Sequence, residues 1–319
     1  MRRLNYERKD LGFSFGLITL VMIAAALLLG MIFGAETTGW KFWTMQALYT
    51  ALIGGSAFVY AAIFKTDAVS ATKLNVKPRV SHVLWGCGAV VFLVMCMSQI
   101  NNLFLDLIEK TGLNRPSVEL EDNLAGLIIC ACILPAFAEE VAFRGTVAQS
   151  LYNSKNKLAA LAISGALFSV FHANPAQTLH QFVLGAFLTL LVFRSGSLWT
   201  SIIVHLFNNA FVVAMSYTPL GADEFWSITG NTAWAVSLLI GGIVGFALCV
   251  FGYLKTTSSN WQAEVEAESE QAADATDGEE TGDEQPRKHV VGNYRKSSDA
   301  TLIVAVFVCL ALWVSQLLV

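Results

Sequence analysis

Nine apolar runs, separated by short polar stretches, dominate the pattern along this chain. A bilayer core about 30 Å thick is crossed by about 20 helical residues, so runs of this length predict membrane-spanning helices. The fifth and sixth runs are short enough that one or both need not cross fully. We therefore expect an all-α, polytopic transmembrane helical bundle of eight or nine spans. The runs cover residues 11–34, 42–64, 80–108, 123–151, 158–173, 176–193, 197–217, 232–254 and 300–318.

Composition and charge support this prediction and give it an orientation. The chain is 55% hydrophobic and 14% charged, whereas a soluble domain has about 25% charged residues. With the N-terminus inside, 16 of the 20 Lys and Arg residues fall in cytoplasmic segments, three fall outside and one lies within a span. Basic loops stay cytoplasmic. We expect a multi-pass cell-membrane protein with a cytoplasmic N-terminus and lipid around it, and no nucleic-acid partner.

Ionisable side chains inside the central runs are the chemically informative residues. Such a group costs about 2.5 to 3.5 kcal/mol within a span, so each one needs a partner or a function. Glu140 and Arg144 are four residues apart and share a helix face, which predicts an ion pair. Glu139 has no basic residue at helical spacing in its own run, which suits a general base or acid. The alternative is that both acids pair with Arg144 and only fix helix packing.

Two further pairs of polar residues suggest one common site. Counted from the turn at residues 153–157, Glu139 and His172 lie at nearly the same depth of an antiparallel hairpin. His205 and Asn209 share a face of the seventh run, and an imidazole beside a carboxamide is a good donor pair for an oxyanion. The alternative for this second pair is a polar clasp between helices.

The depth of His205 is the difficulty in this picture. His205 is about 12 Å from its cytoplasmic turn, whereas Glu139 and His172 are about 24 Å from theirs. We expect the fourth and fifth helices to extend below the membrane surface, and Pro135 to kink the fourth. The site would then occupy a cavity within the membrane that opens toward the cytoplasm.

These motifs resemble the CPBP or Abi family of intramembrane proteases, which is related to the type II CAAX prenyl endopeptidase. That family is marked by EExxxR, FxxxH and HxxxN or HxxxD motifs on successive membrane helices. Here the three motifs occupy residues 139–144, 168–172 and 205–209, in order and each inside an apolar run. The resemblance covers residues 123–217, about a third of the chain.

The resemblance implies an intramembrane glutamic endopeptidase that hydrolyses membrane-associated or lipid-proximal peptides. Glu139 and His172 would bind and deprotonate a water, and His205 and Asn209 would stabilise the oxyanion. No cofactor is expected from the family. Glu139, His172 and His205 are nevertheless also a familiar zinc-ligand set, so a metalloprotease stays open. Glu140 and Arg144 would support the helix and orient Glu139.

Other functions also fit the same residues. A non-proteolytic bacteriocin immunity or scaffolding protein could keep the motifs for structure, and a transporter could use the buried acids as a proton relay. The substrate stays open too. Eukaryotic relatives imply a prenyl-cysteine peptide, whereas bacterial relatives imply peptide-pheromone processing or bacteriocin self-immunity.

The chain divides into five predicted parts around this core. Ten acidic residues and no Lys or Arg lie between residues 256 and 286, a composition typical of disorder; this segment is a solvated linker or a partner-docking tail. His180, in the sixth run, has no role in the family motifs and is expected to pack or to line the cavity. The parts are N-terminal transmembrane helices (1–122), the catalytic core (123–217), an eighth helix (218–255), an acidic cytoplasmic linker (256–299) and a C-terminal accessory helix (300–319).

Overall fold

The computed structural model describes residues 10–34, 38–114, 123–217, 232–257 and 285–318. Within these ranges, long helices follow one another with short connections. The expected all-α multi-spanning bundle is confirmed, and most helix ends fall within three residues of the apolar runs. The helices are α1 Leu11–Phe33, α2 Gly39–Ile63, α3 Val80–Lys110, α4 Leu124–Leu151, α5 Lys157–Phe171, α6 Pro175–Ser195, α7 Leu198–Ser216, α8 Thr232–Thr256 and α9 Gln285–Ser315.

Eight of these helices are long and apolar enough to cross a membrane. The exception is α5, which has 15 residues and, at 1.5 Å per residue, is about 22 Å long. This length agrees with the prediction that the fifth run need not cross fully. The C-terminal helix differs from its prediction, because it begins at Gln285 and not near residue 300. Most of the predicted acidic linker, residues 258–284, lies outside the described residues.

Helix α4 changes its helical type along its length. A π-helical stretch, Leu127–Ile133, precedes an α-helical stretch, Leu134–Glu139, and a second π-helical stretch follows at Glu140–Val147. Pro135 stands near the start of the central stretch. Proline has no backbone N–H and interrupts the α-helical ladder, so the irregularity expected at Pro135 takes the form of π-helix. Such stretches occur frequently at functional sites.

Small residues allow the helices around α4 to approach closely. A Cβ atom on Gly54 of α2 would lie 2.9 Å from Cα of Ala138. Helices α5 and α6 cross at two glycines, since a Cβ atom on Gly185 would lie 3.0 Å from Cα of Gly165. Small residues at such crossings are typical of membrane bundles. These contacts bring α2, α5 and α6 against the part of the bundle that carries the motifs.

The expected difference in depth between the motifs is explained by the length of α4, which extends beyond the start of α7. A Cβ atom on Gly145 would lie 3.5 Å from Leu198, the first residue of α7. Helix α4 continues from Gly145 to Leu151, and the next residue, Tyr152, packs its ring 5.1 Å from that of Phe193. The α4–α5 hairpin therefore extends beyond the start of α7. His205 can then reach the level of Glu139 although it is closer to its own turn.

Helix α9 packs against the bundle. The backbone N–H of Gly12 in α1 donates to Oγ of Ser298 at 3.0 Å. Farther along, Ala305 and Cys309 belong to the same buried cluster as Phe168 and other residues of α5. The helix predicted as an accessory anchor thus contacts both α1 and the helix that ends at His172.

Candidate active site

The three motifs converge between α4, α5 and α7. Glu139 ends the central stretch of α4, His172 follows the last residue of α5, and His205 lies within α7. Oε2 of Glu139 is 3.7 Å from Nε2 of His172 and 4.0 Å from Nε2 of His205. The Glu139 and His172 side chains keep 19% and 15% of their surface exposed, whereas His205 keeps 2%. The Glu139 and His172 side chains are therefore partly exposed, whereas Oε2 of Glu139 is itself buried without a hydrogen-bond partner among the described residues, and His205 is enclosed.

The backbone of α5 fixes which nitrogen of His172 carries the proton. Nδ1 lies 2.7 Å from the carbonyl oxygen of Phe168. A carbonyl only accepts hydrogen bonds, so Nδ1 is the protonated nitrogen of the neutral ring and Nε2 has a lone pair. This lone pair and the Glu139 carboxylate are both acceptors, 3.7 Å apart, which is too long for a direct hydrogen bond. The pair is complementary to a small molecule that donates two hydrogens.

Glu140 belongs to a buried charge cluster beside Glu139. Its Oε1 accepts a hydrogen bond from Nη1 of Arg144 at 2.7 Å and one from Nδ1 of His205 at 2.8 Å. The Glu140 and Arg144 side chains are fully buried. The expected ion pair is therefore present, and His205 joins it, which the sequence did not indicate. Of the two acids, the described contacts pair only Glu140 with Arg144, so the alternative in which Arg144 holds both is not observed.

Arg144 connects three helices. Besides Glu140, its guanidinium donates to the carbonyl of Gly185 in α6 at 3.2 Å. Its Cζ atom also lies 3.9 Å from the centre of the Phe168 ring, a cation–π geometry. The Phe168 ring meets the His172 ring edge to face with centroids 4.6 Å apart. The phenylalanine of the FxxxH motif therefore packs between the buried cation and the exposed histidine.

Asn209 is oriented by the carbonyl of Ala131, four residues before Pro135 in α4. The α-helical partner of the Ala131 carbonyl would be the N–H of residue 135, which proline lacks. Nδ2 of Asn209 donates to this carbonyl at 3.2 Å, and its Oδ1 accepts from Nδ2 of Asn208 at 3.0 Å. These two bonds fix which end of the carboxamide is the amine. One N–H of Asn209 remains available to another acceptor.

His180 lies beside this carboxamide chain. Its imidazole interacts with the side chain of Asn208 and lies within electrostatic range of His172 and His205. Nε2 of His180 and Oδ1 of Asn208 are both buried, and neither has a hydrogen-bond partner in the part of the chain that the structure describes. His180, which was expected only to pack or to line the cavity, thus lies next to Asn208, whose side chain helps to orient Asn209. In the sequence, this role of His180 was indicated by the presence of an imidazole inside an apolar run.

A metal site was the open alternative for Glu139, His172 and His205. Zinc bonds of about 2.0–2.2 Å place tetrahedral ligand atoms about 3.3 to 3.6 Å apart, whereas the observed separations from Oε2 of Glu139 are 3.7 and 4.0 Å. Among the described residues, no group of three or more His, Cys, Asp or Glu side chains is arranged to hold a metal ion. The donor atoms present fit the binding of a water better than that of a zinc ion.

Comparisons with known proteins give one family match and one similar curated protein. Residues 121–211 match the family described as "Rce1-like: Type II CAAX prenyl endopeptidase Rce1-like". The chain is also similar to a Bacillus subtilis (strain 168) protein named "Putative membrane peptidase YdiL", with 29% identity over 117 residues. That match covers 37% of this chain and 46% of the relative, so the chain spans about half the length of the curated relative that it matches. No solved structure matches the chain.

The matched residues contain all of the geometry described above. The charge cluster, the facing acceptors of Glu139 and His172, and the oriented carboxamide lie between Ala131 and Asn209. The resemblance inferred from the three motifs is thus supported by an independent match to the same residues. Residues 121–211 of this multi-pass membrane protein are therefore similar to the Rce1-like, type II CAAX prenyl endopeptidase family, which supports the resemblance to the CPBP proteases.

Proposed function

We propose that this chain is an intramembrane endopeptidase that hydrolyses peptide bonds of membrane-associated or lipid-proximal peptides. The observation that carries the proposal is the facing pair of acceptors, Oε2 of Glu139 and Nε2 of His172, at 3.7 Å. A water molecule has the two hydrogens that this pair requires. A water so held is oriented by both side chains and can lose a proton to Glu139.

The chemical step follows from this arrangement. Glu139 takes a proton from the water as the water oxygen attacks the scissile carbonyl carbon, and the carbonyl oxygen becomes an oxyanion. As the tetrahedral intermediate collapses, the C–N bond breaks and Glu139 returns the proton to the leaving nitrogen. The products are a carboxylic acid and an amine, which exchange a proton to become a carboxylate and an ammonium group. No other proton donor is needed to balance the reaction.

His205 and Asn209 are proposed as the oxyanion donors, and the contacts constrain the form of His205. Its Nδ1 lies 2.8 Å from Oε1 of Glu140. Since an ionised carboxylate only accepts, Nδ1 carries a proton. Nε2 can therefore donate to an oxyanion only when the ring is a doubly protonated imidazolium.

The membrane setting supports the proposed substrate class and orientation. Phe143, Phe168 and Phe171 form a buried aromatic group next to His172. These rings support His172 from within the core, so the case for a lipid-proximal substrate is the position of the site among membrane-spanning helices. We propose the N-terminus on the cytoplasmic side, as the distribution of basic residues indicates.

The proposal is tested by comparing cleaved membrane proteins and secreted peptides between wild type and Glu139→Ala in the native host. We expect fragments that are present in wild type and absent in the variant. A non-proteolytic immunity or scaffolding protein would instead keep its full biological effect in the variant, with an unchanged fragment pattern. That outcome would replace proteolysis as the function.

Asn209→Ala is expected to lower kcat by about 10²- to 10³-fold, the usual effect of losing one oxyanion donor. KM should change little, because the lost bond forms chiefly in the transition state. Ser237→Ala is the matched control, since this exposed α8 hydroxyl bonds only to Ala233 of its own helix in the described contacts. Steady-state kinetics on a peptide identified in the host comparison would check both. An Asn209→Ala enzyme as fast as the control would remove Asn209 from the mechanism.

Cleavage should survive complete removal of divalent metal ions by a tight chelator. The reason is that Glu139 and His172 supply both contacts that a reactive water needs. The measurement is cleavage before and after dialysis, with metal content per chain determined by mass spectrometry. Metal recovered at one ion per chain, together with activity lost on chelation and restored by zinc, would contradict the metal-free mechanism.

A further inference from the structure

The turn that follows His172 has a backbone conformation that needs outside support. Ala173 has φ of 47°, in the left-handed region that residues with a Cβ atom seldom adopt. Such a conformation is strained and persists only where surrounding contacts hold it. Because His172 is the residue before Ala173, the contacts that hold this turn also set where the imidazole stands.

Thr178 lies at the centre of those contacts. Its carbonyl accepts from Oγ of Ser169 at 2.7 Å, and its own hydroxyl donates to the carbonyl of Asn174 at 3.0 Å. The side chain of Asn101 in α3 donates to the carbonyl of Ala176 at 2.8 Å. Hydrogen bonds at Thr178 therefore close the turn from the α5 side to the α6 side.

The C-terminal helix makes a further hydrogen bond to Thr178. Nε1 of Trp313 in α9 donates to Oγ1 of Thr178 at 2.6 Å, across 135 residues of sequence. The Trp313 ring packs with Ala176 against the buried cluster of Leu105, Ile108 and Leu317. The indole is thus fixed by apolar packing while its single N–H is directed at the turn.

A second contact of α9 supports the same helix end. Ala305 and Cys309 share a buried cluster with Phe168 and Phe171, the residues that precede His172. Helix α9 therefore contacts the end of α5 through packing and the following turn through a hydrogen bond. These α9 residues lie outside the segment that matches the family.

We propose that α9, through Trp313, positions His172 for water activation. The inference rests on the proposed proteolytic function, because it assigns to Trp313 the task of keeping Nε2 of His172 opposite Glu139. Trp313 does not contact the reacting atoms and acts through Thr178 and the turn. A shift of about 1 Å in a catalytic group can lower a rate by about 10²-fold, so a hydrogen bond at this distance from the chemistry is sufficient to affect kcat.

The test uses two variants with matched controls in the full-length protein. Trp313→Phe removes the indole N–H and keeps an aromatic ring, and Thr178→Val removes the accepting hydroxyl at nearly constant volume. Ser315→Ala removes a hydroxyl two residues from Trp313 that bonds within α9, at 2.7 Å to the carbonyl of Leu312. Thr178→Ser keeps the hydroxyl and should rescue the valine variant.

Two readouts separate this inference from the proposed function. The first is the rate at which diethyl pyrocarbonate acylates His172, measured by mass spectrometry, which requires no substrate. The second is kcat and KM for a peptide from the host comparison. We expect Trp313→Phe and Thr178→Val each to raise the acylation rate about fivefold and to lower kcat by a similar factor, as for one lost hydrogen bond. KM should stay the same.

The controls decide between the outcomes. Ser315→Ala and Thr178→Ser should behave as wild type, and the Trp313→Phe/Thr178→Val double variant should be no worse than Thr178→Val alone. Equal acylation rates in Trp313→Phe and Ser315→Ala would overturn the inference. If wild type and Glu139→Ala show the same cleavage, the proposed function fails instead, and the acylation rates still report whether α9 holds the turn.

Discussion

Glu139→Gln is expected to lower the rate of peptide cleavage by about 10²- to 10⁴-fold, the contribution of a general base. The amide keeps the size of the side chain and one acceptor oxygen, but it cannot take the proton of a water. The side chain is 19% exposed and has no ion-pair partner other than the two histidines in the described contacts. We therefore expect the bundle to stay folded.

The measurement is single-turnover cleavage by purified enzyme in lipid nanodiscs, with thermal unfolding recorded for each variant. Glu139→Asp is the informative companion, because it keeps the carboxylate and withdraws it from His172 by one methylene. It should retain more activity than Glu139→Gln. If Glu139→Gln cleaves at the wild-type rate, Glu139 is not the base and water activation must be assigned elsewhere.

Arg144→Met is expected to lower the free energy of unfolding by about 3 to 5 kcal/mol, the cost of breaking a buried charge pair. Glu140 would keep a buried carboxylate whose remaining described hydrogen bond comes from Nδ1 of His205 at 2.8 Å. The variant also loses the cation above the Phe168 ring and the bond to Gly185. Reduced stability should therefore accompany reduced activity.

Reversible unfolding in mixed detergent micelles would measure this loss. Arg79→Met is the control, since Arg79 is exposed at the start of α3 and its loss should change stability by about 0.5 kcal/mol or less. The double variant Glu140→Gln/Arg144→Met should recover part of the loss, because it removes the unpaired charge. A single Arg144→Met variant as stable as the control would show that the ion pair does not support the fold.

The helices and the local part of the site were predictable from the sequence. The apolar runs predict the helix ends, because a segment that lies within lipid must be apolar. Glu140 and Arg144 form an ion pair because residues four apart share one face of a helix. The proximity of Glu139 and His172 followed from equal distances to one turn. Each of these inferences needs only one helix or one hairpin.

Contacts between distant segments were not predictable in this way. The bond between Trp313 and Thr178 joins residues 135 positions apart, and no periodicity encodes it. The π-helical stretches of α4 are also absent from the hydropathy pattern, although Pro135 indicated an irregularity. The contact of Asn209 with the Ala131 carbonyl joins distant segments and also depends on the irregular backbone of α4. It could be rationalised only once the backbone was known.

Because α9 is covalently attached to the rest of the chain, its contacts with the bundle form as an intramolecular binding equilibrium. The helix is joined to α8 through residues 258–284, so it docks on α1 and α5 as an intramolecular ligand. Such a ligand binds at an effective concentration that is set by the length and stiffness of its connection. One peptide-bond cut within residues 258–284 would convert α9 into a separate chain subject to dilution in the membrane. Occupancy of the Trp313 contact would then depend on the abundance of the fragment.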